Sequence, residues 1–210
     1  TKGRAASFTG KLCIQPAGNI AENGFSVQAN LMKNDGVWPA MAEAFKKSKG
    51  ALAERLLDAL EAAEKAGGDV RGRQSAALLV VRAKATGQIW NDRLVDLRVD
   101  DSENPLSELR RLLDVHRAYE HMNKGDLAIE KNDMNMAMYE YSAAMKMFPD
   151  NLEMKYWTAV ALANKGDLEK AIPMFREIFK KDKNWRDLTP RLLPNGLLKV
   201  SPEHLAEILK

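Results

Sequence analysis

Arginines, an amide and a hydroxyl crowd into the segment Ala66-Gly67-Gly68-Asp69-Val70-Arg71-Gly72-Arg73-Gln74-Ser75, which leads straight into the apolar residues 76–81. A turn alone would need little more than the glycines. Arginine's planar fork suits a carboxylate or another anionic group, and a glutamine can both donate to and accept from an amide. A second polar cluster, Asp96-Leu97-Arg98-Val99-Asp100-Asp101, closes the next expected strand. Leaving such groups buried and unpaired costs roughly 1–3 kcal/mol each, so two neighbouring strand ends that both carry them point to a site. The candidate binding residues are Arg71, Arg73, Gln74, Asp96, Arg98 and Asp100, facing a small amide- or peptide-like substrate. The competing reading is structural: the arginines pair with Asp69, Asp96 or Asp100 and tie the strand ends together.

Nucleophiles and metal ligands are scarcer. Ser75 as a nucleophile would require a nearby base, and no histidine precedes His116; a hydroxyl bonded to a strand end is the plainer expectation. Thr1 offers an N-terminal nucleophile, set against a simple turn at Lys2-Gly3-Arg4 before an expected strand. Asp96, Asp100 and Asp101 could hold a hard cation through oxygen ligands. The favoured alternative is a same-face network of Asp96 with Arg98, with Asp101 capping the helix that starts near Pro105. His116, His121 and His204 make no zinc pattern with the single Cys13, so no metal and no cofactor are expected.

The elements that must position these residues follow from periodicity. Residues 5–12 could form a strand, followed by a glycine- and asparagine-rich loop through Gly24. Residues 25–31 alternate apolar and polar at period two, as a half-buried strand does. A helix should begin near Pro39, with Trp38, Met41, Ala42 and Phe45 on one face. A second follows Gly50, with Leu52, Leu56, Leu57, Leu60 and Ala63 at helical spacing, and stops at Gly67-Gly68. Residues 75–83 read as a strand covered on both faces, since the middle is continuously apolar. Thr86-Gly87 turns the chain into a partner strand over 89–99, with Val95, Leu97 and Val99 on one face and Asp96, Arg98 and Asp100 on the other. Such a hairpin under two amphipathic helices is a layered α+β arrangement.

Bulk composition narrows the class. The chain has 210 residues, 45% hydrophobic and 29% charged, with a formal net charge of +3. Basic and acidic residues are mixed throughout, without the basic stripe that nucleic-acid binding requires. No apolar run approaches the ~18 residues of a membrane span. The lone Cys13 leaves the redox compartment open. The first residue is Thr rather than Met, and an N-terminal segment is expected to be missing. Localisation is therefore unassigned, between cytoplasmic and periplasmic or secreted.

After Leu106 only helical periodicity remains, and two segments align at an offset of about 34 residues, the tetratricopeptide period. Ala137 matches Ala171, Asp133 matches Asp167 and Tyr141 matches Phe175, while Gly125 and Ala159 take the first small position. Small residues let paired helices approach, and the aromatic plugs the gap between pairs. Lys183 stands where the proline Pro149 closes the first copy, so the second copy is degenerate. Two copies need a further apolar surface, which Trp185, Leu188, Leu192, Leu193, Leu197 and Leu198 supply. The methionines from Met134 to Met147, with Tyr139 and Tyr141, read as core more than as an adaptable binding face. Lys180-Lys181 and Arg110-Arg111 read as solvated helix faces.

The first ~116 residues resemble a bacterial and archaeal family of uncharacterised Ntn-hydrolase-like proteins, a domain of unknown function. The resemblance rests on Phe8-Thr9-Gly10, Cys13 with Ala17-Gly18, Val27-Gln28-Ala29-Asn30, Ala53-Glu54-Arg55-Leu56, Ala66-Gly67-Gly68-Asp69, Arg71 through Leu78, Asp96 through Asp101, and Glu108-Leu109-Arg110-Arg111-Leu112. It implies the four-layer αββα sandwich of N-terminal-nucleophile hydrolases, amide-bond hydrolysis as the chemistry, and first strands with any terminal nucleophile lying before Thr1. Ala29 stands where the family usually has glycine, and Ser102 where a histidine usually follows the paired aspartates. The organisation expected is a partial αββα domain over 1–116, two tetratricopeptide-like repeats over 117–184 that take a protein partner, and a helical cap over 185–210. Homo-oligomerisation is expected too. The rival is a non-catalytic scaffold, or an assembly protein of the cell envelope.

Overall fold

A computed structural model describes residues 3–210; Thr1 lies outside the described residues, and with it the terminal-nucleophile expectation. The chain divides into two compact units, Thr1–Leu113 and Asp114–Lys210. It is a mixed α and β protein with small sheets and many helices.

In the first unit, β1 (Gly18–Glu22) and β2 (Phe25–Ala29) form an antiparallel hairpin registered from Gly18↔Ala29 to Glu22↔Phe25. The loop expected through Gly24 is thus largely strand. Residues 5–12, expected as a strand, are irregular. Among the described residues β1 pairs with β2 alone, and residues 5–12 make no ladder with its other edge. Side chains hold this stretch instead: Ser7 Oγ donates to Asn19 Oδ1 at 2.8 Å, and Asn19 Nδ2 donates to Thr9 Oγ1. Phe8 and Leu12 stay exposed.

Helices α1 (Val37–Lys47) and α2 (Leu52–Lys65) pack on one another. Phe45 of α1 meets Phe25 of β2 with ring centroids 4.7 Å apart, and the Arg55 guanidinium lies 4.1 Å from the Phe45 ring centre. Then come β3 (Ala76–Val81), the short helix α3 (Ile89–Asp92), β4 (Arg93–Val99) and the long helix α4 (Pro105–Glu130). The partner strand expected from residue 89 starts only at Arg93. Before it, the Asp92 carboxylate accepts from the backbone N–H and hydroxyl of Thr86, and this closes a compact turn rather than a ladder.

β3 and β4 pair antiparallel, Ala76↔Val99 through Val80↔Val95. Their inner face, Leu78, Val95 and Val99, joins Ala53 and Leu57 of α2 and Leu109 and Leu113 of α4 in one core. Arg110 adds a polar clasp, donating to Asp58 and Glu61 of α2 at 2.6–2.9 Å. The outer face is open: Leu79 and Val81 are each 55% exposed. The expectation that β3 is covered on both faces is therefore incorrect. Its continuous apolar run cannot by itself distinguish two covered faces from one covered and one bare.

The second unit holds the rest of α4, then α5 (Met134–Met147), α6 (Leu152–Asn164), α7 (Leu168–Lys181), α8 (Lys183–Leu188), a 3₁₀ turn at Thr189–Leu192 and α9 (Pro202–Ile208). Capping sets several helix starts: Asp133 Oδ1 accepts from Met136 N, Asn151 Oδ1 from Met154 N, and the Ser201 hydroxyl from His204 N. One core gathers Met122, Ala137, Tyr141, Ala144 and Met154. Tyr141 lies against Gly125 so closely that a methyl group there would collide with its ring. A second core packs Tyr156, Phe175 and Ile178 with Leu192, Leu198 and Ile208. Of the methionines, Met138 and Met147 pack against the cores, whereas Met136 is 48% exposed. Among the described residues no helix is long and apolar enough to cross a membrane.

Candidate functional site

The glycine-rich segment after α2 is held at both ends by main-chain bonds. Gly67 and Gly68 adopt φ of 128° and 61°, a left-handed geometry that glycine enters without strain. This swings the chain back against residues 31–34. There Lys33 N donates to Gly68 O at 2.9 Å, Val70 N to Leu31 O at 2.8 Å, and Asn34 Nδ2 to Ala66 O at 2.8 Å. At the far end Ser102 N donates to Gln74 O at 2.9 Å. The segment is thus stitched to the β2–α1 connection on one side and to the β4–α4 connection on the other.

Between these stitches lies an open cavity of about 1060 Å³. Arg71, Arg73, Gln74 and Ser75 line it from the loop, Asp101, Ser102 and Glu103 from the β4–α4 connection, and Glu64 from the end of α2. Met32, Val37, Met41, Leu60 and Leu106 supply an apolar wall.

Both arginines are already engaged. Arg71 folds onto Asp69 with Nε and Nη2 at 2.9 and 2.6 Å from its carboxylate oxygens, while the Arg71 N–H donates to Oδ1 at 2.8 Å. Side-chain bonds from Arg71, then its backbone N–H, hold the Asp69 pKa down at about 2 against a small opposing effect of burial. Arg73 reaches Glu64 at 3.3 Å. By contrast, the side chains of Gln74, Ser75 and Asp101 have no hydrogen-bonding partner among the described residues. The cavity therefore presents two neutralised ion pairs, unpaired carboxylates at Asp101 and Glu103, and free amide and hydroxyl groups.

Arg71, Arg73 and Gln74 are thus brought together, whereas Asp96, Arg98 and Asp100 are not among the residues lining the cavity. The expected Asp96–Arg98 network is absent: Asp96 takes Arg93 at 2.6 Å, and Arg98 lies 3.5 Å from Asp100. The ladder is irregular between Val80 and Val81, opposite Arg93, so strict two-residue alternation does not hold at that end of β4. Asp101 makes no capping bond to α4 and lines the cavity, and the Ser102 hydroxyl accepts from Asn104 N at 3.1 Å. Among the described residues no group of three or more His, Cys, Asp or Glu is placed to hold a metal ion. Sequence reasoning overlooked Glu64 and Glu103. A carboxylate in the last turn of a helix opposes the helix dipole, and that mismatch at Glu64 was the available signal.

Comparison with known proteins gives a family. Residues 1–109 match the family described as a family of unknown function, DUF1028. The crystal structure of a DUF1028 protein from Silicibacter pomeroyi is 34% identical, covering 60% of this chain and 49% of that one with a TM-score of 0.46. The chain thus spans about half the length of that solved relative. No curated protein matches it. With more than half of its residues matched, the chain belongs to the DUF1028 family.

Proposed function

We propose that the cavity of the Thr1–Leu113 unit holds a small amide- or peptide-like molecule. Gln74 supplies the donor and acceptor that an amide requires, Ser75 and Ser102 add hydroxyls, and Asp101 and Glu103 set the charge. Arg71 and Arg73 are proposed to shape the wall and to meet the ligand at its edge. The resemblance to Ntn hydrolases supports an αββα architecture and amide hydrolysis as the reaction class, with the nucleophile coming from outside the described residues. The observation that carries the reading is the unpartnered Gln74 amide in a cavity whose loop is pinned at both ends. Calorimetric titration of the full chain with primary amides and dipeptides tests it. Binding is expected, and Gln74→Ala should weaken it about tenfold, equivalent to about 1.4 kcal/mol; an unchanged affinity in Gln74→Ala would remove the basis of the reading.

A second, non-catalytic reading concerns partners. Tetratricopeptide-like packing over 117–184 is supported by the close approach of Gly125 to Tyr141 and by Ala137 and Ala171 at fully buried positions. Exposed Leu127, Met136 and Tyr139 favour a protein partner there. Self-association belongs to the same reading and has its own surface. Among the described residues β4 pairs with β3 alone, and its exposed Arg93, Asp96 and Arg98 alternate in sign, with Asp100 just past its end. Antiparallel apposition of two copies about Leu97 sets Asp96 opposite Arg98.

A further inference from the structure

The last turns of α7, helix α8 and Lys210 enclose a second cavity, of about 540 Å³, whose charge is strongly one-sided. Arg176, Lys180, Lys183, Arg186 and Lys210 line it against a single carboxylate, Asp187. Arg176 and Lys180 lie four residues apart on one side of α7, Lys183 and Arg186 three apart on one side of α8, and the extended Asp182 separates the two helices. The opposite side of α7, with Ala171, Phe175 and Ile178, is buried in the core and holds this array in place.

Two ordinary explanations account for only part of it. Cations in the last turn of a helix offset its dipole, which covers Lys180 and Lys181 in α7 and Arg186 in α8 but not Arg176, Lys183 or Lys210. Ion pairing covers Lys181, which meets Glu177 at 3.2 Å. Among the described residues Arg176, Lys180, Lys183 and Lys210 have no carboxylate partner. Arg186 is fixed in place by donating Nε to the Leu209 carbonyl at 2.9 Å, and its remaining guanidinium N–H groups stay available. Unopposed like charges held in one cleft repel each other, and a multiply charged anion relieves that repulsion while taking several charge-assisted bonds.

We infer that this α7–α8 cleft binds a compact anion carrying two or more adjacent phosphates, either free or as a lipid headgroup. The site lies wholly within Asp114–Lys210 and is independent of the amide-binding cavity. The probe is inorganic pyrophosphate, titrated into the full chain at low and raised salt and followed by calorimetry and by the fluorescence of Trp185 in α8. The expected result is saturable binding that weakens as salt rises, about tenfold weaker in the Lys180→Gln/Lys183→Gln double variant and unchanged in Lys146→Gln. A parallel arm uses phosphatidylcholine vesicles doped with a polyprenyl diphosphate: co-sedimentation displaced by pyrophosphate assigns a headgroup, and pyrophosphate binding without co-sedimentation assigns a free ligand. The inference is overturned if pyrophosphate does not bind saturably, or if Lys146→Gln weakens binding as much as the double variant. Vesicle binding that pyrophosphate fails to displace also overturns it.

Discussion

At the scale of single residues, the loop is defined by which groups are spent and which are free. Asp69 is spent on Arg71, and its pKa of about 2 lies below the ordinary aspartate value. The depressed value means that folding favours the ionised carboxylate. Its contribution is therefore complete above an ordinary aspartate pKa near 3.9 and disappears as pH falls through about 2. Carboxyl-carbon NMR should show Asp69 titrating near that low value, and Arg71→Ala should move its midpoint back toward the ordinary one. An Asp69 midpoint unchanged by Arg71→Ala would show that the pair does not exist in solution. Gln74, one residue beyond Arg73, is the free group, and no pattern of residue types distinguishes the two. Both are polar and lie between the glycines and a strand; only the pairing geometry separates them.

At the scale of elements, packing constraints are tighter than composition suggests. Gly125 in α4 leaves room only for the Tyr141 ring, and the Tyr141 hydroxyl donates to Asp126 at 2.6 Å. Burial first, then that hydrogen bond to a carboxylate, push the phenol pKa well above its usual value, so Tyr141 stays a donor at any physiological pH. Gly125→Ala should overpack this contact and cost about 1–3 kcal/mol in urea unfolding; a neutral result would mean that the helices separate freely at that point. The amphipathic helices were legible because a 3.6-residue stripe declares itself locally, as Leu56, Leu57 and Leu60 do in α2. The conformation of residues 5–12 and 89–92 is not legible in the sequence, because strand formation depends on a partner elsewhere in the chain. The cavity was legible only in part, since its loop announces itself through glycine and arginine while Glu64 and Glu103 reach it through tertiary placement.

At the scale of the whole molecule, two units carry separate surfaces. Among the described residues, the bare outer side of β3 and the outer edge of β4 are the most exposed apolar and charged strand surface of the first unit. If two copies meet at the β4 edge, sedimentation velocity should show a concentration-dependent dimer that Arg98→Asp, by setting like charges opposite each other, converts to monomer; a wild-type monomer at all concentrations would rule out this interface. The functional account turns on the loop cavity. Its most direct measurement is a two-dimensional amide NMR titration of the full chain with a saturating primary amide or dipeptide. The account predicts shifts concentrated at Gln74, Ser75, Asp101 and Ser102, and shifts elsewhere with none at these four residues would contradict it.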